Sequence, residues 1–222
     1  IEGVAPTTLG VLPVGSGNDF AWGMGMDKGL DDAMNRLRRG HTRTIDVGYI
    51  ETDTAPSRYF LNIVGAGFDA DVNVEAHKIK RLRGFLIYLV AVLKTLFVHY
   101  RTPQVTIRYD DEVLTFPLFM VLVANGPRLG GGFLAAPQAS QDDGILDLCI
   151  AHDIGRFEAL PLIPKIMKGT HMSHPKVTMA RGKHIVIESP DGFASEADGE
   201  MVGYKIHQMT IGIIPQRLRV IS

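Results

Sequence analysis

The sequence has 222 residues, 45% of them hydrophobic, a formal net charge of −1 and one cysteine. That length and apolar content suffice for a sizeable core in one large domain or one and a half smaller ones, and the near-zero charge without a long basic run excludes the electrostatic footprint of a nucleic-acid binder. Cys149 lies within an apolar run, which excludes a disulfide framework and fits a buried small hydrophobe in a reducing compartment.

In chain order, the apolar residues 9–14 predict a strand that runs into a loop, Pro13-Val14-Gly15-Ser16-Gly17-Asn18-Asp19-Phe20. Residues 30–39 predict a helix with Asp27 near its start and Gly40 as its stop. These elements read as the remnant of an α/β domain over residues 1–43. From residue 44 the pattern alternates in the β manner: strands are predicted at 45–50 and 59–64 around a polar turn at 53–57, and a β-rich domain is assigned to 44–222. The apolar stretch 84–98 is interrupted by Lys94 and is shorter than the ~20 residues needed to cross a bilayer, so it predicts a helix that does not span a membrane. The basic cluster Lys78, Lys80, Arg81 and Arg83 at its start suits an anionic membrane surface. Further strands are predicted at 104–109, 113–116, 119–124, 146–151, 184–188, 194–197 and 209–214, with a hairpin turn at Asp110-Asp111 and a short helix at 157–168 ended by Gly169. Strands separated mostly by turns favour antiparallel pairing in a sandwich or distorted barrel. No repeat, low-complexity segment or secretory signal is visible.

Five stretches carry candidate chemistry. In the first loop, Gly15 and Gly17 permit close backbone approach, while Ser16, Asn18 and Asp19 offer a hydroxyl, an amide and a carboxylate to a phosphate or its metal; the same Gly-Ser-Gly also suits an ordinary turn. Residues 65–69, Gly-Ala-Gly-Phe-Asp, read either as a tight strand end with a solvated aspartate or as a cleft-facing turn. Gly130-Gly131-Gly132 is either a ligand-approaching loop or a mobile hairpin tip. The loop Ser140-Gln141-Asp142-Asp143-Gly144-Ile145 sets two carboxylates beside a glycine, as a hard-cation site or a plain Asp-Gly turn would. His171-x-x-His174 has the spacing of two helical metal ligands, but Gly169 and Pro175 disfavour a helix and no third ligand is near, so a surface loop is expected.

The string Pro-Val-Gly-Ser-Gly-Asn-Asp-Phe-Ala at 13–21, followed by Asn-Ile-Val-Gly-Ala-Gly-Phe-Asp-Ala at 62–70, Asp-Asp-Gly-Ile-Leu-Asp-Leu at 142–148 and Asp-Gly-Glu at 198–200, resembles the diacylglycerol kinase catalytic family, which includes bacterial lipid kinases and sphingosine and ceramide kinases. Four signals in order, spread over nearly the whole chain, are far more specific than one. The family's Gly-Gly-Asp-Gly-Thr phosphate loop is not among these residues and the chain begins at Ile1, so the expectation is the later part of a longer protein, inactive without that loop. The resemblance implies an α+β two-domain fold, with an α/β nucleotide-binding domain followed by a β-sandwich and the active site in the cleft between them. It implies an ATP- and Mg²⁺-dependent lipid kinase acting on diacylglycerol or a related lipid, cytoplasmic and peripheral to the membrane, with a homodimer left open. By carry-over, Gly15, Ser16, Gly17, Asn18 and Asp19 hold the nucleotide, and Glu200 is the proton acceptor with Asp198 orienting it or binding metal. Ser140, Asp143 and Ile145 would hold a structural Mg²⁺, Asp143 by its side chain and the other two by backbone oxygens. Two other readings stay open: a non-catalytic nucleotide- or lipid-binding relative, and a kinase of a soluble polyol or nucleotide, since kinases of dinucleotide cofactors share the architecture.

Overall fold

A computed structural model describes residues 7–80, 82 and 84–222. The chain runs through β1 (Thr8–Leu9), α1 (Asp19–Gly23), α2 (Leu30–Arg39), β2 (Thr42–Thr52), β3 (Arg58–Phe60), β4 (Ile63–Gly67), α3 (Phe68–His77) and α4 (Phe85–Val98). It continues through β5 (Gln104–Tyr109), β6 (Glu112–Ala124), β7 (Leu146–His152), α5 (Arg156–Ala159), α6 (Leu162–Met167), a 3₁₀ turn at His171–Ser173, β8 (Val177–Gly182), β9 (His184–Ala197) and β10 (Glu200–Ile221).

The strands form one sheet in the order β3-β2-β10-β9-β4-β6-β7-β8. All pairings are antiparallel except that of β1, which runs parallel to β10. Two long strands close the sheet on itself. The first half of β6 pairs with β5 and its second half with β4, and β9 divides between the same two partners, so β4 and β5 each bridge β6 to β9. The interior of this closed sheet is aliphatic, with Ile107, Leu118, Leu148, Ile187 and Ile211 at its centre. A second core fills the space between the outer face of the sheet and α3 to α6, where Phe68 stacks on Phe119 with ring centroids 4.5 Å apart. Phe68 starts α3 directly after β4, so the two cores share a wall. The architecture is the expected β-rich sandwich with a small α/β part at its N-terminal side, where Ala21, Met24, Met26, Ile45 and Val220 form a third cluster.

Several elements differ from expectation. Only Thr8 and Leu9 of the first predicted strand pair with the sheet, because β1 sits on the end of β10 and the chain then turns into the loop. The strands predicted at 113–116 and 119–124 are one strand: Pro117 falls where β6 changes partner, so its missing N–H interrupts little. The strands at 184–188 and 194–197 are likewise the two halves of β9. The helix predicted at 157–168 breaks at Leu160-Pro161 into α5 and α6. Neither α3 nor β8 was expected. Helix α3 lies between the sheet and α4 and buries Phe68, Ala70, Val72, Asn73, Glu75 and Ala76, so it shows no one-sided apolar stripe. Helix α4 has the predicted position, and among the described residues no helix is long and apolar enough to cross a membrane. Arg81 and Arg83 of the basic cluster lie outside the described residues.

Candidate active site

Beneath α3, α4 and α6 lies a cavity of about 480 Å³, within the range of small-molecule sites. Its depth is apolar, walled by Val72, Tyr88, Val92, Leu96, Phe119 and Ile163, while its mouth is polar, formed by Asp19, Asn62, Asp69, Asn73, Glu196 and Asp198.

The glycine loop closes one side of the mouth. Asn18 takes a left-handed conformation (φ 55°), which lets its side-chain oxygen accept from the Gly15 N–H at 2.8 Å while its amide donates to the Gly15 carbonyl at 2.9 Å. The Asp19 carboxylate turns away from the loop, accepting from the Gly131 N–H at 2.9 Å and pairing with the Arg128 Nε at 3.0 Å. Burial raises its pKa against the pull of that amide and of Arg128. A Cβ on Gly17 would stand 2.7 Å from the Asp19 carboxylate and 3.4 Å from the Gly131 nitrogen. Gly17 is therefore small so that two loops can meet, and Gly130-Gly131-Gly132 is the inner wall against which the first loop is braced. Gly15 and Ser16 stay exposed, while Gly17, Asn18 and Asp19 line the cavity.

The opposite side is built from α3 and the β9–β10 hairpin. Asp69, in the first turn of α3, folds back over β4, and a Cβ on Gly65 would lie 1.9 Å from its carboxylate, so only glycine fits beneath it. Asp69 stands beside Glu196 of β9, and a hydrogen bond between two carboxyls requires a proton on one of them. Burial pushes Asp69 up to about 6; Glu196 is raised well above its ordinary value by burial and by the Asp69 charge. The Glu196 Oε2 accepts from the Gly199 N–H at 2.7 Å and from the Asn73 amide at 3.3 Å, and that amide also reaches the Gly199 carbonyl at 2.7 Å. Asp69 is therefore not the solvated end of a strand; it faces the cleft.

The Asp198-Gly199 turn was expected between two strands, and it joins β9 to β10. Asp198 holds the turn in place: its two oxygens accept from the backbone N–H groups of Leu61 at 2.7 Å, Asn62 at 3.0 Å and Ile63 at 3.0 Å. It clamps the hairpin to the link between β3 and β4. Glu200 opens β10 as an exposed residue beside Gly199, outside the cavity wall. The two carboxyls that meet at the mouth are Asp69 and Glu196, and Glu196 escaped notice although it is the one charged residue in the run Phe193-Ala194-Ser195-Glu196-Ala197, two residues before Asp198.

The loop with Ser140, Asp143 and Ile145 lies elsewhere. One Asp143 oxygen is paired with Arg181 and the other accepts from the Ile145 N–H at 3.2 Å; the Ser140 hydroxyl donates to Asp142 at 2.6 Å. Fully buried Asp46 accepts from the N–H groups of Gly144 and Gln216, each at 2.7 Å, and anchors this loop to β2 and β10. Among the described residues no three metal-ligating side chains converge. His171, expected in a surface loop, is buried at 1% exposure, its Nε2 on the Ala135 carbonyl at 3.0 Å, and burial lowers its pKa.

The chain is similar to known proteins. The family described as YegS C-terminal NAD kinase beta sandwich-like domain matches residues 62–222, and that described as diacylglycerol kinase catalytic domain matches residues 1–50. The chain belongs to the diacylglycerol kinase catalytic-domain family. A diacylglycerol kinase of Mycobacterium tuberculosis is 33% identical over 193 residues, covering 86% of this chain and 62% of that protein. One of Bacillus subtilis is 27% identical over 209 residues, covering 91% of this chain and 67% of that protein. A solved structure from Bacillus anthracis, described as a diacylglycerol kinase, superposes with a TM-score of 0.74 at 24% identity over 96% of this chain and 69% of its own; it attests the shared fold. The chain thus spans about three fifths of the first of these relatives, and the kinase activity in their names is said of those longer proteins.

Proposed function

We propose that this chain supplies the acceptor-binding half of an ATP-dependent lipid kinase that phosphorylates a hydroxyl of diacylglycerol or a related lipid. The observation that carries the reading is the cavity: an apolar depth for an acyl chain, a polar mouth for a hydroxyl, and the Gly17–Asp19 segment of the glycine loop on its rim. A soluble polyol would leave the apolar depth unfilled, at a cost in affinity for every methylene not buried. Bound ATP supplies the phosphoryl group. This chain's contribution is to bring the glycine loop, stiffened by Asn18 and braced on Gly131, to within reach of the acceptor hydroxyl. The loop of Ser140, Asp143 and Ile145 is tied by the ion pair of Asp143 with Arg181 and lies away from the cavity, so no step of the transfer is routed through a Mg²⁺ there.

Glu200 is the proton acceptor in this reading, at the tip of a hairpin whose position Asp198 fixes through three backbone amides. A well-placed carboxylate contributes about 10²–10⁴-fold to such a transfer. In the full-length protein, Glu200→Gln should lower kcat on diacylglycerol in mixed micelles at least about a hundredfold with ATP affinity unchanged. Retained turnover in Glu200→Gln together with its loss in Glu196→Gln would move the base to the buried pair. Equal turnover of glycerol and diacylglycerol by the parent enzyme would overturn the lipid assignment.

A further inference from the structure

The cavity has a direction. Glu196 on β9, Ile63 on β4, Leu122 on β6, Cys149 on β7 and Val177 on β8 all line it, and these five strands are consecutive neighbours in the sheet. At about 4.8 Å between neighbours the cavity crosses roughly 19 Å of sheet, with its carboxyls at the β9 end and apolar side chains along most of its length. A chain lying across the strands places its head group among Asp69, Glu196, Asn62 and Tyr88.

That end has more acceptors than donors. Asp69 stands beside Glu196, and no cation or backbone amide reaches its carboxylate among the described residues. A proton shared by the two carboxyls is used between them, which leaves lone pairs and no O–H to offer a ligand. Asn62, 7% exposed and on the same wall, has a buried Oδ1 with no donor. The Asn62 amide is spent on the Arg128 carbonyl at 2.8 Å, and the Asn73 amide on Glu196 and Gly199. The Tyr88 hydroxyl has no hydrogen-bond partner among the described residues. Burial, and after it the charges of Asp19, Glu196 and Asp69, raise its pKa, so it stays protonated and can donate to an ester carbonyl. A diacylglycerol brings one hydroxyl and two ester carbonyls, and its second carbonyl would meet carboxylate lone pairs. A second hydroxyl in that place would donate to them.

We infer that the cavity selects a single-ester lipid diol, in its simplest form a monoacylglycerol, with Asp69 and Glu196 reading the hydroxyl next to the reacting one and Tyr88 the ester. The inference deepens the lipid-kinase reading and rests on it for the phosphoryl transfer.

The test compares kcat/KM of the full-length protein on monodecanoylglycerol, ethylene glycol monodecanoate and didecanoylglycerol in one detergent micelle. The ethylene glycol ester keeps the chain, the ester and the reacting hydroxyl and lacks the second. The parent should prefer monodecanoylglycerol over each of the others at least about tenfold, because they leave a buried carboxylate unpaired. In Asp69→Ala the preference over the ethylene glycol ester should fall to about twofold or less, mainly through KM for the monoacylglycerol. Asp69→Asn, which keeps the size and an acceptor oxygen without the charge, should give an intermediate preference and carries the test if alanine unfolds the site. A parent that handles the ethylene glycol ester as well as the monoacylglycerol, or that prefers didecanoylglycerol, would overturn the inference and leave the kinase reading intact; so would parental preference in folded Asp69→Ala. If none of the three lipids is phosphorylated, calorimetric titration with the same lipids as monomers decides. Tighter binding of monodecanoylglycerol that the Asp69 variants lose keeps the inference and removes the kinase reading, whereas equal binding of all three overturns both.

Discussion

The two ends of α3 bury carboxyl groups in opposite ways. At its C-terminal end the Glu75 side chain, 2% exposed, accepts from Lys78 at 2.5 Å and Lys94 at 2.6 Å, with the His99 ring at 3.3 Å; its pKa is lowered to about 2, first by the bond from Lys78 and then by that from Lys94. At its N-terminal end Asp69 meets a second carboxyl, Glu196, and both are raised by burial. The first arrangement ties α3 to α4 and is satisfied by the protein. The second leaves two acids sharing a proton at the mouth of a cavity, a costly arrangement of the kind found where groups act on a ligand. Within one helix, the difference separates a strut from a site.

The largest expected break in this contrast is Glu75→Ala. It strands two lysines beside a buried hole, and because their ammonium groups are about half exposed and can rehydrate, the loss should be roughly 1–3 kcal/mol rather than that of a fully buried pair. Thermal melting of the full-length protein should fall by several degrees with turnover at permissive temperature unchanged; an unaltered melting curve would remove Glu75 as a strut.

Glu196→Gln should do the reverse. Glutamine can still accept from Gly199 and donate to Asp69, and the repulsion between acids is gone, so stability at pH 7 to 8 should rise by about 1 kcal/mol. The pH dependence carries the sign. Asp69 moves from 3.8 unfolded to about 6 folded, so the native state binds the extra proton; its stabilising contribution is complete below 3.8 and lost as pH climbs through about 6. Glu75 moves from 4.5 to about 2, so its contribution is present above 4.5 and lost as pH falls toward 2. The stability advantage of Glu196→Gln should therefore shrink as pH is lowered from 7 to 5, while the Glu75→Ala deficit stays constant there and closes only in stronger acid. A variant advantage that does not vary with pH would show that the pair shares no proton.

The smallest effect belongs to Lys78→Gln. Its side chain is 56% exposed and Lys94 remains on Glu75, so a loss of about 0.2–1 kcal/mol is expected, diminishing with added salt. A salt-independent loss would mean that Lys78 acts through packing of its stem.

Elements whose cause is local were legible. Gly40 takes the left-handed conformation that ends α2, Asp110 does the same in the β5–β6 turn, and Asp198 and Gly199 do so in the β9–β10 hairpin. The long helix α4 and the family motifs were legible for the same reason: neighbours in sequence carry the signal. Which face of α4 would be covered was not, because apart from Lys94 apolar residues lie on every side of it, and only the placement of α3, α5 and α6 divides the cavity wall from exposed Leu86, Val90, Leu93 and Phe97. The same holds for the site. Asp19 and Gly17 were marked as phosphate contacts, yet their immediate partner is Gly131, which the fold brings against them from the far side of the β6–β7 connection. Asp69 was visible as an acid beside a glycine turn, but its partner lies on β9, and α3 itself was hidden because burial on both faces removes helical periodicity. By itself the sequence determined the family, the β-rich class and the turns, since these depend on short patterns and on backbone conformations that few residues adopt. Tertiary structure alone decided which carboxyls share a proton, which are spent on backbone amides and cations, and where an apolar cavity opens, because each depends on groups far apart in the chain competing for the same buried space.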